Sequence, residues 1–186
     1  MWPACVGRQS RLLHPPVGGL VMTERKHNLL LLLCQLLNGY ESSYFMTELY
    51  IYNPVVINQL QYPRKVYFVD TGFMTALSTK FSKNSGRLLE NIVFQKLARE
   101  NETLYYYKDK DNNEVDFAIL NNGKVEALYQ VCFDLTDLET QDREVRSIVK
   151  AGVKLKCKNL NLVTVEKPKG LQIPKEIKVI TVAEFL

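Results

Sequence analysis

The sequence lacks the spacings that mark thiolate metal sites and nucleotide sites. Its four cysteines, Cys5, Cys34, Cys132 and Cys157, include no CxxC pair and have no histidine nearby, so neither a zinc site nor a disulfide framework is indicated. A reducing, cytoplasmic setting is the default. The two histidines, His14 and His27, stand alone and carry no metal role. No GxxxxGK[ST] segment is present, which excludes a phosphate-cradling ATPase loop and leaves no nucleotide site. There is no internal repeat and no low-complexity tract. Nor is there an apolar run of the ~20 residues needed to span a bilayer. The longest, Leu29 to Leu37, follows Glu24, Arg25 and Lys26 as a signal peptide's apolar region would, but no small-x-small cleavage site succeeds it. A buried helix ending at Asn38-Gly39 is expected there, and no membrane partner.

What is present describes an ordinary globular chain, 46% hydrophobic and 24% charged, long enough at 186 residues to bury a real core. A net charge of +4 permits nucleic acid or an acidic partner without requiring either. Residues 1–21 hold three prolines and three glycines without helical or strand period, and read as an irregular leader, with Met22 a plausible true start. Residues 22–62 read as an N-terminal appendage, with a helix over Asn28 to Asn38 and a Tyr-rich, Pro-interrupted stretch, Tyr44 to Tyr62, that has room for one short strand. Residues 63–186 read as the main domain, opening on strand Lys65 to Val69 and a turn at Asp70-Thr71-Gly72.

From Arg87 the pattern is clearer. Helix Leu88 to Glu100 precedes strands Leu104 to Lys108, Glu114 to Leu120 and Val125 to Phe133. Helix Leu138 to Lys150, with Thr136 or Asp137 as its N-cap, leads to strands Leu160 to Val165 and Ile177 to Thr181. The order is αβββαβ with one extra strand, an α/β class with a mixed central sheet.

On the first of these helices, Glu90 falls among Val93, Phe94 and Leu97 on the helical wheel. A carboxylate on an apolar face needs a partner, a metal or a raised pKa, and Arg87 and Lys96 are the nearest cations in sequence. Strand Glu114 to Leu120 alternates, with Val115, Phe117 and Ile119 on one face and Glu114, Asp116 and Ala118 on the other. On the next strand Leu128, Gln130 and Cys132 share a face. Whether the polar faces coincide depends on the turn. A two-residue Asn122-Gly123 loop sets Asp116 against Tyr129; a three-residue loop, Asn121 to Gly123 with Gly123 left-handed, sets Glu114 against Gln130 and brings Asp116 and Gln130 diagonally together. The second builds a site and is the expectation adopted. A helical Glu with an Asp and an oxygen donor on adjacent strands suits Mg²⁺, which would polarise a phosphoryl oxygen and acidify an attacking water.

The order αβββαβ with Glu90, then EVD (Glu114 to Asp116), then QVC (Gln130 to Cys132) resembles the PD-(D/E)XK nuclease superfamily, whose motif ends in (E/Q)-x-K. More narrowly, PRKVYFVDTGF (Pro63 to Phe73), GRLLENIVFQKL (Gly86 to Leu97), YYYKDKDNNEVDF and YQVCFDL resemble the nuclease-like C-terminal domain of bacterial and archaeal AAA-type ATPases, over roughly Asn53 to the C-terminus. That resemblance implies a restriction-endonuclease-like core, a winged-helix remnant in the appendage, and Glu90, Asp116 and Gln130 as the acidic, metal-binding remnants of the site. Cys132 stands at the lysine position, and losing such a transition-state donor costs ~10²- to 10³-fold in rate. Lys108 and Lys124 are candidates to replace it from neighbouring strands. The expected function is therefore a nuclease-fold domain that binds DNA or an ATPase chain, with weak Mg²⁺ affinity and hydrolysis weak or lost. An active Mg²⁺-dependent deoxyribonuclease and a pure protein-interaction module are the alternatives.

Two further features bear on binding. Lys154, Lys156 and Lys158 alternate and form a basic ridge if extended, serving a phosphate backbone or a protected strand edge. Tyr105, Tyr106 and Tyr107 could stack bases, with core packing the plainer use.

Overall fold

The computed structural model describes residues 45–77, 85–101, 103–167 and 173–186. The expected leader and the helix Asn28 to Asn38 lie outside the described residues, as does the choice between a buried helix and an export signal at Leu29 to Leu37.

Chain order is β1 (Met46–Leu49), α1 (Val56–Gln61), β2 (Lys65–Phe68), α2 (Thr71–Leu77), α3 (Ser85–Glu100), β3 (Leu104–Lys108), β4 (Glu114–Asn121), β5 (Lys124–Cys132), α4 (Leu138–Leu155), β6 (Leu160–Thr164), β7 (Ile177–Thr181) and α5 (Val182–Phe185). From α3 onward this is the αβββαβ order with the extra strand. Strands β3 to β7 form one mixed sheet in sequential order, antiparallel through β5 and parallel from β5 to β7. The α/β class with a mixed central sheet is thus observed. Among the described residues no helix is long and apolar enough to cross a membrane.

The sheet is buried on both faces, with α3 on one side and α4 on the other. Val93, Phe94 and Leu97 of α3 pack with Phe117, Ile119, Ala127 and Val163. Ile148 and Ala151 of α4 pack with Val115, Ala118, Leu128, Cys132 and Leu162. Each fully buried aliphatic or aromatic side chain is worth ~1.5–3 kcal/mol, so both faces contribute substantially to holding the sheet between its helices. Helix α4 begins at Asp137, whose carboxylate accepts from Thr140 N at 3.0 Å. It runs five residues past its expected end because Gly152 lets it lie against β6: a Cβ there would meet Leu160 Cδ2 at 2.8 Å. Lys154 therefore belongs to the helix and Lys156 to its C-cap, not to an extended ridge.

Met46–Leu49, in the stretch assigned by sequence to the appendage, pairs antiparallel with β2, and Ile51 bridges to Tyr106 of β3. The expected turn at Asp70-Thr71-Gly72 is instead the start of α2, where Asp70 Oδ1 accepts from Gly72 N at 2.6 Å. The short carboxylate satisfies an amide that a new helix leaves orphaned.

The β4–β5 register departs from expectation at two places. Asn121 pairs with Lys124, so the turn has two residues, and both are left-handed: φ is 51° at Asn122 and 75° at Gly123. Asn tolerates that conformation, and a turn with two left-handed residues matches the strands' twist better than the three-residue loop. The extra residue sits in β5 instead, as a bulge at Glu126 between the pairs Leu120–Val125 and Ile119–Ala127. A second bulge sets Tyr106 alone against Asp116 and Phe117. It breaks the simple alternation of β4: Val115 and Ala118 face α4, while Phe117 and Ile119 face α3.

Candidate functional site

The second bulge decides where Asp116 points. It turns the Asp116 carboxylate to the α3 side, where Oδ1 lies 2.9 Å from Lys65 Nζ and Oδ2 accepts from Val131 N at 3.0 Å. The same ammonium lies 3.1 Å from Glu90 Oε1 and 2.8 Å from Glu114 Oε1. Tyr67, two residues along β2, donates its hydroxyl to Glu90 Oε1 at 2.6 Å, and its ring stacks on Phe94. Lys108 Nζ reaches the other oxygen of Glu114 at 3.5 Å. Three carboxylates thus converge on a single ammonium.

Two amides of α3 place β2 for this contact. Buried Asn91 donates to Phe68 O at 2.9 Å and accepts from Phe68 N at 2.8 Å; Gln95 donates to the same carbonyl at 2.6 Å. With Phe68 clamped, alternation along β2 turns Lys65 and Tyr67 toward Glu90. Glu90 therefore takes neither cation considered from sequence; Lys96 pairs with Glu100 instead.

Electrostatics follow from the packing. Burial pulls the Lys65 ammonium down, but the charges of Asp116 and Glu90 and the bonds from Glu114 and Asp116 outweigh it and hold it well above the ordinary lysine range. Burial raises Asp116 to about 6, with Lys65 opposing and Glu90 adding to the rise. Burial also raises Glu114, but Lys65 and Lys108 prevail and keep it below the usual carboxylate value. The Tyr67 phenol is pushed far up by burial and by Glu90, so it stays a donor.

Of the four residues singled out from sequence, Glu90 and Asp116 meet. Gln130 and Cys132 lie on the opposite face. Gln130 Nε2 donates to Glu144 Oε2 of α4 at 2.6 Å, while its Oε1 is buried without a partner among the described residues. Cys132 Sγ donates to Asp134 O at 3.1 Å, and burial together with the charge of Glu144 raises its thiol to about 11. The expected diagonal contact of Asp116 with Gln130 does not form: the bulge at Glu126 sets Gln130 opposite Asp116, but the second bulge turns the Asp116 side chain away to the α3 side. Of the lysine candidates, Lys108 touches the cluster's rim. Lys65, which supplies the central ammonium, was missed; its place in PRKVYFVD, alternating with Tyr67, was the available signal.

The arrangement does not suit the Mg²⁺ that the resemblance implies. The point on which the carboxylates converge is filled by Lys65, and Gln130 cannot reach it. Among the described residues, no group of three or more His, Cys, Asp or Glu is placed to hold a metal ion.

Residues 85–184 match the family described as "Domain of unknown function (DUF4143)". Over 102 residues the chain is 45% identical to an uncharacterised protein of Methanocaldococcus jannaschii; the match takes in 53% of this chain and 22% of that protein. The chain thus covers about a fifth of that relative's length. No solved structure matches.

Proposed function

This chain belongs to the DUF4143 family, and on that premise we propose that its domain is a nuclease-fold module of an ATPase-associated protein, kept for binding DNA or a protein partner, in which phosphodiester hydrolysis is lost. The observation that carries this reading is the Lys65 ammonium, within 3.1 Å of Glu90, Glu114 and Asp116. Hydrolysis needs an activated water and a cation free to meet the phosphoryl charge as it develops. Here the cation is neutralised by its own carboxylates, and its proton is held too tightly for acid–base work. Cys132 offers no substitute, since a thiol raised to about 11 stays protonated at neutral pH and faces the other helix.

The test is cleavage of plasmid and single-stranded DNA with Mg²⁺ or Mn²⁺, comparing wild type with Asp116→Ala. Equal, background-level cutting is expected. Cutting by wild type that Asp116→Ala abolishes would restore the active deoxyribonuclease.

For the partner half of the reading, a separate observation counts. Ile57 and Leu60 on α1 are 67% and 62% exposed, beside Val55 at 52%, an apolar turn that a protein partner would cover. Co-elution with a co-expressed AAA-type ATPase, lost in Ile57→Asp/Leu60→Asp, is the outcome this docking predicts; co-elution unchanged by the double variant rules out α1 as the contact.

A further inference from the structure

A groove of about 410 Å³ beside the charged cluster combines two features that the sequence singled out and the site leaves unused. Three tyrosines, Tyr52, Tyr62 and Tyr107, and four lysines, Lys108, Lys110, Lys154 and Lys156, line it, with Asp109 the single acid. Four positive charges against one negative make its walls cationic. The Asp109 carboxylate is turned into its own loop, accepting from Asp111 N, Asn113 N and Asn113 Nδ2. Among the described residues Lys110, Lys154 and Lys156 form no salt bridge. Tyr62 and Lys108 also line a second recess, of about 350 Å³, together with Lys65 and Glu114 of the charged cluster. The groove therefore leads from the end of α4 to the charged cluster.

We propose that this groove binds single-stranded nucleic acid, with its phosphates on Lys110, Lys154 and Lys156 and a base stacked on Tyr62. Cationic walls interleaved with ring faces are what an unpaired strand requires, because its bases are free to leave one another for an aromatic side chain. A duplex keeps its bases stacked and has no use for the tyrosines. Tyr62 is 44% exposed, so its ring is open to a ligand. Tyr52 is held edge-on against Tyr105, with centroids 6.1 Å apart, which fixes that wall before a ligand arrives.

Helix stability explains only part of this charge. The negative end of the α4 dipole favours a cation at Lys154 or Lys156. It does not act on Lys108 and Lys110 across the groove. Lys156 is moreover left-handed, with φ at 56°, at the helix C-cap where a glycine is relaxed and a side chain strained. A lysine there costs the fold something and places a charge on the groove wall.

This inference rests on the reading of the domain as a binder, and names the ligand class. The experiment is fluorescence anisotropy of a labelled oligo-dT with the full chain in EDTA, against a duplex of equal length and a poly-glutamate peptide. Wild type should prefer the single strand. Lys154→Glu/Lys156→Glu should weaken it more than ~10-fold and reduce the salt slope by about 1.4, the share of two phosphate contacts. Tyr62→Ala should weaken it about 10-fold. Lys156→Gly should bind less well while melting no lower than wild type, which a purely structural lysine would not do. No saturable binding, binding indifferent to these variants, or preference for the duplex or the peptide would overturn the groove. Adding Mg²⁺ separates the two readings: cutting of the bound oligonucleotide would sink the loss of hydrolysis and leave the groove standing, and failure to bind leaves the cleavage result untouched.

Discussion

On the α3 face of the sheet, Lys65, Glu90, Glu114 and Asp116 close on one another with Tyr67 capping the group; on the α4 face, Gln130 and Cys132 meet one helix carboxylate and one backbone carbonyl. Both sets sit at the level where β4 and β5 run side by side, and sequence alone would join them into one site. The sheet keeps them apart. The charged set is internally complete, since each carboxylate meets the ammonium. The neutral set is incomplete, with Gln130 Oε1 buried and without a partner among the described residues. A face that satisfies its own charges has little left to offer a metal, whereas a face with one spare acceptor has too little charge to hold one. Whether these side chains form one site is a matter of placement as much as of which residue fills which motif position.

The largest way to break this contrast is Lys65→Met. Removing the cation leaves three carboxylates facing one another with the side chain only 22% exposed, and should cost about 3 kcal/mol or more by chemical denaturation. A loss below about 1 kcal/mol would mean the cluster is solvated like a surface pair. Next is Gln130→Glu, which sets a second carboxylate beside Glu144 on the neutral face. About 2 kcal/mol should be lost at neutral pH, and regained as acid discharges the pair. An unchanged midpoint would show that Gln130 does not face α4.

Tyr67→Phe is smaller. It keeps the ring stacked on Phe94 and removes one bond to a carboxylate that still has Lys65, for about 1.5 kcal/mol. Finest is a slope in pH. Asp116 binds its proton more tightly folded, near pH 6, than at the unfolded value of 3.8. Its contribution is therefore complete below pH 3.8 and is lost as pH rises through 6. Stability of wild type minus that of Asp116→Asn should fall across this window, and a difference that rises instead would mean Lys65 outweighs burial.

Much of the fold was legible because its periods are strong. Strands β3 and β7 begin and end where the pattern of apolar residues places them, and the Asp137 cap is a local signal. What escaped was non-local or one residue wide. The bulges at Glu126 and Asp116 leave the composition of each strand unchanged, yet each reverses which residues share a face. Lys65 is separated from Asp116 by 51 positions, and the Asn91 and Gln95 contacts to Phe68 help bring them together. Glu90 could be recognised as a carboxylate in need of a partner; which partner depended on a strand pairing that no periodicity encodes. The lysines after Val153 looked like an alternating strand, because nothing local shows that Gly152 admits the helix to β6.

The central claim is that the Lys65 ammonium stands where a cation-dependent site would hold its ion. Titration calorimetry with Mn²⁺ tests this directly on the wild-type chain, with Asp116→Ala as the reference. The account predicts no saturable heat from either protein. A saturable Mn²⁺ site in wild type that disappears in Asp116→Ala would contradict it, showing that Lys65 gives way and that the carboxylates remain a metal centre.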